Sequence, residues 1–399
     1  MRPLPPLAIS AMTTSAATGL GLASLREALR KERSGLQPAG QVQGVEAPGW
    51  VGRVPGLEQA LLPEAWQAWD CRNNRLAWLA LQQDGFVDAA RSAVDRYGPE
   101  RVGLFLGTST SGIAATEEAY AQMQASATPS LPPEYHYPTT HNMHSVGAFV
   151  GQALGLRGPG HTISTACSSS AKVFATASRA LRAGLCDAAI VGGVDSLCLT
   201  TLFGFHGLQL VSSQPCRPAD AERDGISIGE AAGFALLEKE AAQPQGWLLG
   251  YGESSDAYHM SSPEPEGRGA MAAMQAALDR AGLGPESIDY INLHGTGTKA
   301  NDAAEDAAVA SLFGSNTPCS STKGFAGHTL GAAGIFEAVL SLLCLQEGWI
   351  PPSLNTRSVD PEMRAQIVLQ GRKAPLKRVL SNSFGFGGTN CSLLLGAQA

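Results

Sequence analysis

The sequence is poor in charge, in aromatics and in long uninterrupted apolar runs. Of 399 residues, 16% are charged and 6% aromatic, and the formal net charge is -7. No Lys/Arg run stands out, whereas nucleic-acid binding needs a basic patch or stripe, so no nucleic-acid partner is expected. No apolar segment approaches the ~20 residues that span a bilayer. The N-terminal stretch MRPLPPLAISAMTTSAATGLG is broken by prolines and threonines. A signal peptide needs a basic stretch and then about 7–15 apolar residues. A cytoplasmic protein with no membrane span is therefore expected. The eight cysteines include no CxxC pair, and no Cys/His group shows zinc-ligand spacing. Most of them read as reduced, buried, small hydrophobes, with no metal expected.

What is present is an alternation of short Val/Ile/Leu runs with Ala-rich stretches. Arg101–Leu106, Asp187–Val191, Ile288–Leu293 and Lys377–Leu380 read as buried strands, the second ending at Gly192-Gly193. Ser168–Arg182, Gly269–Ala281 and Asp302–Leu312 have helical composition. Continuous apolar strands between helices predict an α/β fold with a mostly parallel sheet covered on both faces. The two halves also echo each other. LFLGTSTSG is matched by INLHGTGT, STACSSSAK by STKGFAGHTLGAAG, and AIVGGVDS by VLSNSFGFGGTN, in the same order. The pattern predicts a duplicated α/β unit, residues 1–245 and 246–399, with the boundary near Gln243–Gly246.

The residues able to do chemistry fall at turns of this repeat. Cys167 follows a β-type run and precedes a helix of small residues. A helix N-terminus favours the anionic sulfur, so a lowered thiol pKa and a nucleophilic role are expected. Against this stands the ordinary fate of a lone cysteine, which is to be an inert core residue. His294 lies where a strand meets a Gly/Thr turn, the usual ligand side of an α/β sheet; the bland reading is a turn histidine capping a carbonyl. Thr296 and Thr298 supply hydroxyls there. Lys323 and His328 share the Gly-rich STKGFAGHTLGAAG, where taken singly the lysine reads as solvated and the histidine as a core residue. Phe384 and Phe386 sit among glycines in SNSFGFGGTN, either as anchors of a bulge or as a movable aromatic gate.

Taken together, TACSSS, CRPADAERDGISIGEAAG, SSDAYHMSSP, HGTGTKANDAAE, STKGFAGHTLGAAG and NSFGFGGTN, in this order and spacing, resemble the β-ketoacyl-acyl carrier protein synthases of fatty-acid and polyketide systems. The resemblance runs nearly end to end. It implies a thiolase-like fold, two similar halves in five α-β-α-β-α layers, and a dimer. It implies Cys167 as the acylated nucleophile, and His294 and His328 as the histidine pair of the decarboxylating class. Lys323 matches the lysine of that site and Glu305 the acid pairing with it. The backbone of Cys167 and Phe386 matches the oxyanion hole, Phe384 and Phe386 the gating loop, and Thr296 and Thr298 the phosphopantetheine contacts. Gly112, Ile113 and Phe205 fall where the family lines its acyl pocket. No bound cofactor is implied, because the substrates ride on the phosphopantetheine arm of acyl carrier protein. The partner is that carrier protein, with a homodimer or a heterodimer with a related chain-length-factor subunit.

The alanines usual after the nucleophile are Ser168–Ser170 here, closer to polyketide synthases, and TACSSSAKVFA with VDSLCLTTL resembles synthases of polyene pathways. A thiolase would place a second cysteine within the C-terminal Gly-rich loop, whereas Cys391 follows it. A non-catalytic chain-length subunit would lack the nucleophile.

Overall fold

The computed structural model describes residues 3–126 and 130–399. Its main sheet has twelve strands, of which ten form two matching sets of five. In the first half these are β1 (Leu7–Ala16), β2 (Val102–Gly107), β3 (Gly160–Ile163), β4 (Ala188–Asp195) and β5 (Ala231–Glu238). In the second they are β6 (Gly246–Ser255), β7 (Tyr290–Asn292), β8 (Pro318–Ser320), β9 (Arg378–Gly385) and β10 (Thr389–Gly396). Their spatial orders are β3-β2-β4-β5-β1 and β8-β7-β9-β10-β6. Each is third-second-fourth-fifth-first, so the duplication read from the motifs is a duplication of topology. The two sets join where β1 meets β6, from Leu7 opposite Leu248 to Ile9 opposite Gly246.

Helices α1 (Arg72–Leu81), α2 (Phe86–Tyr97) and α3 (Ser145–Ala153) cover one outer face. Helices α4 (Ser169–Arg182) and α7 (Ala333–Glu347) lie between the halves, and α5 (Arg268–Ala281) and α6 (Lys299–Phe313) cover the other outer face. Successive strand side chains point to opposite faces. Ala235 and Leu237 of β5 accordingly join the central core with Phe174 and Ile335, while Phe234 and Leu236 join the outer core with Phe86 and Leu76. This alternation produces the five layers.

Three expectations change. The sheet is mixed: β2 runs parallel to β3 and β4, and β7 to β8 and β9, but β1, β5, β6 and β10 pair antiparallel. The β9–β10 connection is only Phe386–Gly388, and a parallel partner needs a crossover of about a dozen residues. Second, β4 runs through Gly192-Gly193 to Asp195. Those glycines admit close neighbours rather than a turn. A Cβ on Gly193 would lie 2.5 Å from Ser170 Cβ of α4, and one on Gly192 2.6 Å from the Gly233 carbonyl oxygen. Third, among the described residues Leu330–Glu347 is a helical run of 18 residues apolar enough to cross a membrane, yet 89% of it is buried inside the protein. A helix packed on all sides is apolar all round.

Candidate active site

Cys167 follows Ala166, whose φ of 50° is left-handed. That turn sets the sulfur two residues before α4, and Thr165 N–H donates to Ser169 Oγ at 2.9 Å to hold it. Gly385 must come close: a Cβ there would lie 3.2 Å from the Cys167 nitrogen. Positive φ at Gly387 and Gly388 turns the chain so that Phe386 overlies the site. The backbone N–H groups of Phe386 and Cys167 both address the Cys167 sulfur.

His294 leaves β7 on a loop tied to α6. The His294 and Gly295 N–H groups each donate to the Glu305 carboxylate at 2.8 Å, and Asn382 donates to it at 3.1 Å. His328 is pinned through its backbone. It donates to the Ser227 oxygen at 2.7 Å and accepts from Gly229 at 2.9 Å. One ring nitrogen of His294, one of His328 and the Cys167 sulfur all lie within 4.8 Å of one another. They open on a cavity of about 620 Å³, also lined by Thr296, Thr298, Phe205, Phe384 and Phe386. Phe205 packs against Phe386 with ring centres 5.5 Å apart and the planes tilted by 53°. Gly112 and Ile113 do not line this cavity.

Glu305 does not pair with Lys323. Lys323, 1% exposed, reaches Glu337 at 2.7 Å, and Glu305 instead holds the His294 loop. The sign at Cys167 also differs from expectation. Burial pushes the thiol up to about 11, outweighing Lys323 and the two amides that pull it down. The resting site therefore holds a thiol. Alkylation of Cys167 by iodoacetamide should accelerate from about pH 7 towards pH 11, since only the thiolate reacts; mass mapping of the alkylated peptide reads it, and a plateau below about pH 8 contradicts it.

Both histidines are held well below the usual imidazole range, first by burial and then by the Lys323 charge, so both are neutral at pH 7. Their tautomers follow from their partners. Leu330 N–H donates to His328 Nδ1 at 3.2 Å, and the Lys323 ammonium faces His294 Nδ1 at 3.4 Å. Each Nδ1 being an acceptor, each ring proton sits on Nε2. The site thus presents two neutral N–H donors. The same Cys–His–His triangle is a conceivable metal site. The Lys323 charge beside it opposes a bound cation.

Sequence reasoning missed Glu337, Asp195 and Asn382. Glu337 had a signal, being the only charge within the apolar run GIFEAVLSLLCL. Asp195 stands at the C-terminal end of β4, which runs parallel to β2 and antiparallel to β5, and strand ends of α/β sheets are where functional groups gather.

Comparison with known proteins bears directly on this geometry. The profile of the beta-ketoacyl synthase N-terminal domain matches residues 5–243, and that of its C-terminal domain residues 246–357. The chain belongs to the β-ketoacyl synthase family. This ketosynthase relative is 43% identical over 258 residues to 3-oxoacyl-[acyl-carrier-protein] synthase 2 of Rhizobium meliloti, covering 60% of this chain and 61% of that protein. That alignment spans less than two thirds of the R. meliloti protein. Synthase 2 of Synechocystis is 33% identical over 324 residues, covering 77% of each chain. Among solved structures, a ketosynthase in complex with its chain length factor from Xenorhabdus doucetiae superposes with a TM-score of 0.90 at 38% identity, covering 100% of both chains. The ishigamide ketosynthase/chain length factor gives 0.87 at 26% identity, over 99% of this chain and 100% of that one. The thiolase-like fold of these ketosynthases is the fold described above.

Proposed function

We propose that this chain is an active β-ketoacyl-acyl carrier protein synthase that performs decarboxylative condensation. The observation that carries the reading is one pocket holding Cys167 Sγ within 4.8 Å of two histidine nitrogens. A chain-length subunit has no use for that arrangement.

In the first half-reaction the Cys167 sulfur attacks an acyl thioester, and its proton ends on the departing phosphopantetheine thiol. The Cys167 and Phe386 amides stabilise the oxyanion, each such donor contributing about 3–4 kcal/mol in the transition state. In the second, malonyl-carrier protein loses carbon dioxide while His294 and His328 Nε2–H groups donate to its thioester oxygen. The enolate carbon then attacks the Cys167 thioester, the β-ketoacyl product departs on the carrier, and the released sulfur takes up a proton. Thr296 and Thr298, whose hydroxyls lie 2.9 Å apart in the cavity lining, would hold the phosphopantetheine arm. Displacement of Phe386 from Phe205 is the proposed opening of the acyl pocket. No bound cofactor takes part.

The proposed partner is acyl carrier protein, with the catalytic unit a homodimer or a heterodimer with a chain-length-factor subunit, the latter as in the Xenorhabdus doucetiae and ishigamide structures, acting in the cytoplasm. Residues 1–245 supply the nucleophile and 246–399 the histidines. Incubation with a panel of acyl-carrier proteins, followed by intact mass and peptide mapping, should show one acyl group on Cys167. A folded protein that no primer acylates, alone or with a chain-length-factor partner, defeats the proposal.

A further inference from the structure

The Asp195 carboxylate closes β4 and is fully buried, with donors from both halves of the molecule around it. From the loop after β2, Thr108 Oγ1 donates to its Oδ1 at 2.6 Å, Ser109 N at 2.8 Å, and Thr110 N and Oγ1 at 2.9 Å each. Its Oδ2 accepts from Ser109 Oγ and, at 2.6 Å, from the Gly331 N–H of the second half. No sequence motif marked this contact, and the proposed chemistry does not call on it directly.

Its target is a strained turn. Leu330 has φ of 53°, a left-handed conformation that costs a residue with a Cβ roughly 1–2 kcal/mol. A Cβ on Gly331 would lie 2.8 Å from Asp195 Oδ2, so only glycine lets the carboxylate reach that amide. The strained residue does one further thing: its own N–H donates to His328 Nδ1 at 3.2 Å. That bond keeps the His328 proton on Nε2. The path from Asp195 to the His328 ring is therefore two hydrogen bonds long, through Gly331 and Leu330.

We propose that Asp195 is a positioning residue for the decarboxylating step, clamping the Leu330–Gly331 turn and so fixing the tautomer and orientation of His328 relative to Cys167. The inference rests on the condensing-enzyme reading. It requires a carboxylate specifically. Each oxygen accepts a backbone N–H, so an asparagine, turned either way, sets its NH₂ against a backbone donor. Hydroxyls can rotate to accept, but a backbone N–H cannot.

The test is Asp195→Asn, assayed in two half-reactions beside the unaltered protein. Acylation of Cys167, read by mass, should stay within about 3-fold, because that step does not use His328. Condensation with malonyl-carrier protein should fall about 10- to 100-fold, the scale set by misplacing one catalytic group by an ångström. A parallel loss of both half-reactions indicates a general structural role and overturns the proposal, as does full retention of condensation. Hydrogen exchange supplies a readout independent of turnover. Amides of the Leu330–Gly331 segment should exchange faster in the variant, with the α5 segment unchanged; identical exchange at Leu330–Gly331 also overturns it. If the unaltered protein is not acylated, the condensing-enzyme reading fails while exchange still decides the clamp. Should Asp195→Asn not fold, Ser109→Ala removes only the hydroxyl shared by Asp195 and Gly331. It should give a smaller loss confined to condensation, and equal losses in both steps count against the clamp.

Discussion

Cys167→Ala is expected to lower condensation by at least about 10⁴-fold while leaving the fold intact, because loss of a covalent nucleophile leaves only binding and electrostatic terms. The fold should survive because alanine fits the space and the neighbouring serines are held through their own hydroxyls, Ser168 on Thr389 and Ser169 on Ala166. Rates with acyl- and malonyl-carrier protein measure the loss, and far-ultraviolet circular dichroism checks the fold. Retained chain extension sinks the nucleophile assignment. Cys167→Gln makes the sharper companion. Its side-chain carbonyl can accept from the Cys167-position and Phe386 amides as an acyl thioester oxygen would. Malonyl decarboxylation should therefore continue without condensation. A folded Gln variant that releases no carbon dioxide removes the simplest support for the two-histidine mechanism.

His328→Ala is expected to lower condensation by about 10²–10³-fold, the usual loss for one preorganised donor to a developing oxyanion. Acylation of Cys167 should persist, and the pair of assays separates this from misfolding. His294→Ala should behave alike in the decarboxylating step, with added destabilisation because Lys323 loses its imidazole neighbour. The pH dependence has a definite sign. Both imidazoles are held below their usual range by burial and by Lys323, so lowering the pH from about 8 to about 6 charges neither. Decarboxylation by the Cys167→Gln variant should stay flat across that window. A fall centred near pH 6.5 means that a histidine titrates with an unshifted pKa, contrary to a dry, lysine-flanked pocket.

Much of the site was legible because its residues are forced into sequence-visible turns. Cys167, His294 and His328 each lie between a strand end and a helix, the histidines beside glycines and Cys167 among small residues, and strand ends in α/β sheets are where side chains meet ligands. Phe386 was legible because an aromatic between glycines makes poor sense as a plain turn. Glu305 was read as a partner of Lys323 because both stand in motifs beside histidines. In space, Glu305 faces inward from α6 to the backbone of the His294 loop, while the lysine finds Glu337 a turn into α7. Asp195 was invisible because its partners, Thr108 and Gly331, lie 87 and 136 residues away.

The motifs and their order along the chain pointed to a duplicated α/β architecture, and their resemblance to the β-ketoacyl synthases put forward Cys167 as nucleophile and His294 and His328 as its partners, since turn chemistry and motif order are local properties of the chain. Charge states and proton positions emerge only from the folded arrangement. Whether Cys167 rests as thiol or thiolate depends on burial set against Lys323 and two amides, and the helix N-terminus alone suggested the opposite sign. Which histidine nitrogen carries the proton depends on the Leu330 amide for one ring and on the Lys323 ammonium for the other. Electrostatic energies sum over every neighbour in a low-dielectric interior, and those neighbours are assembled only when the two halves close on one another.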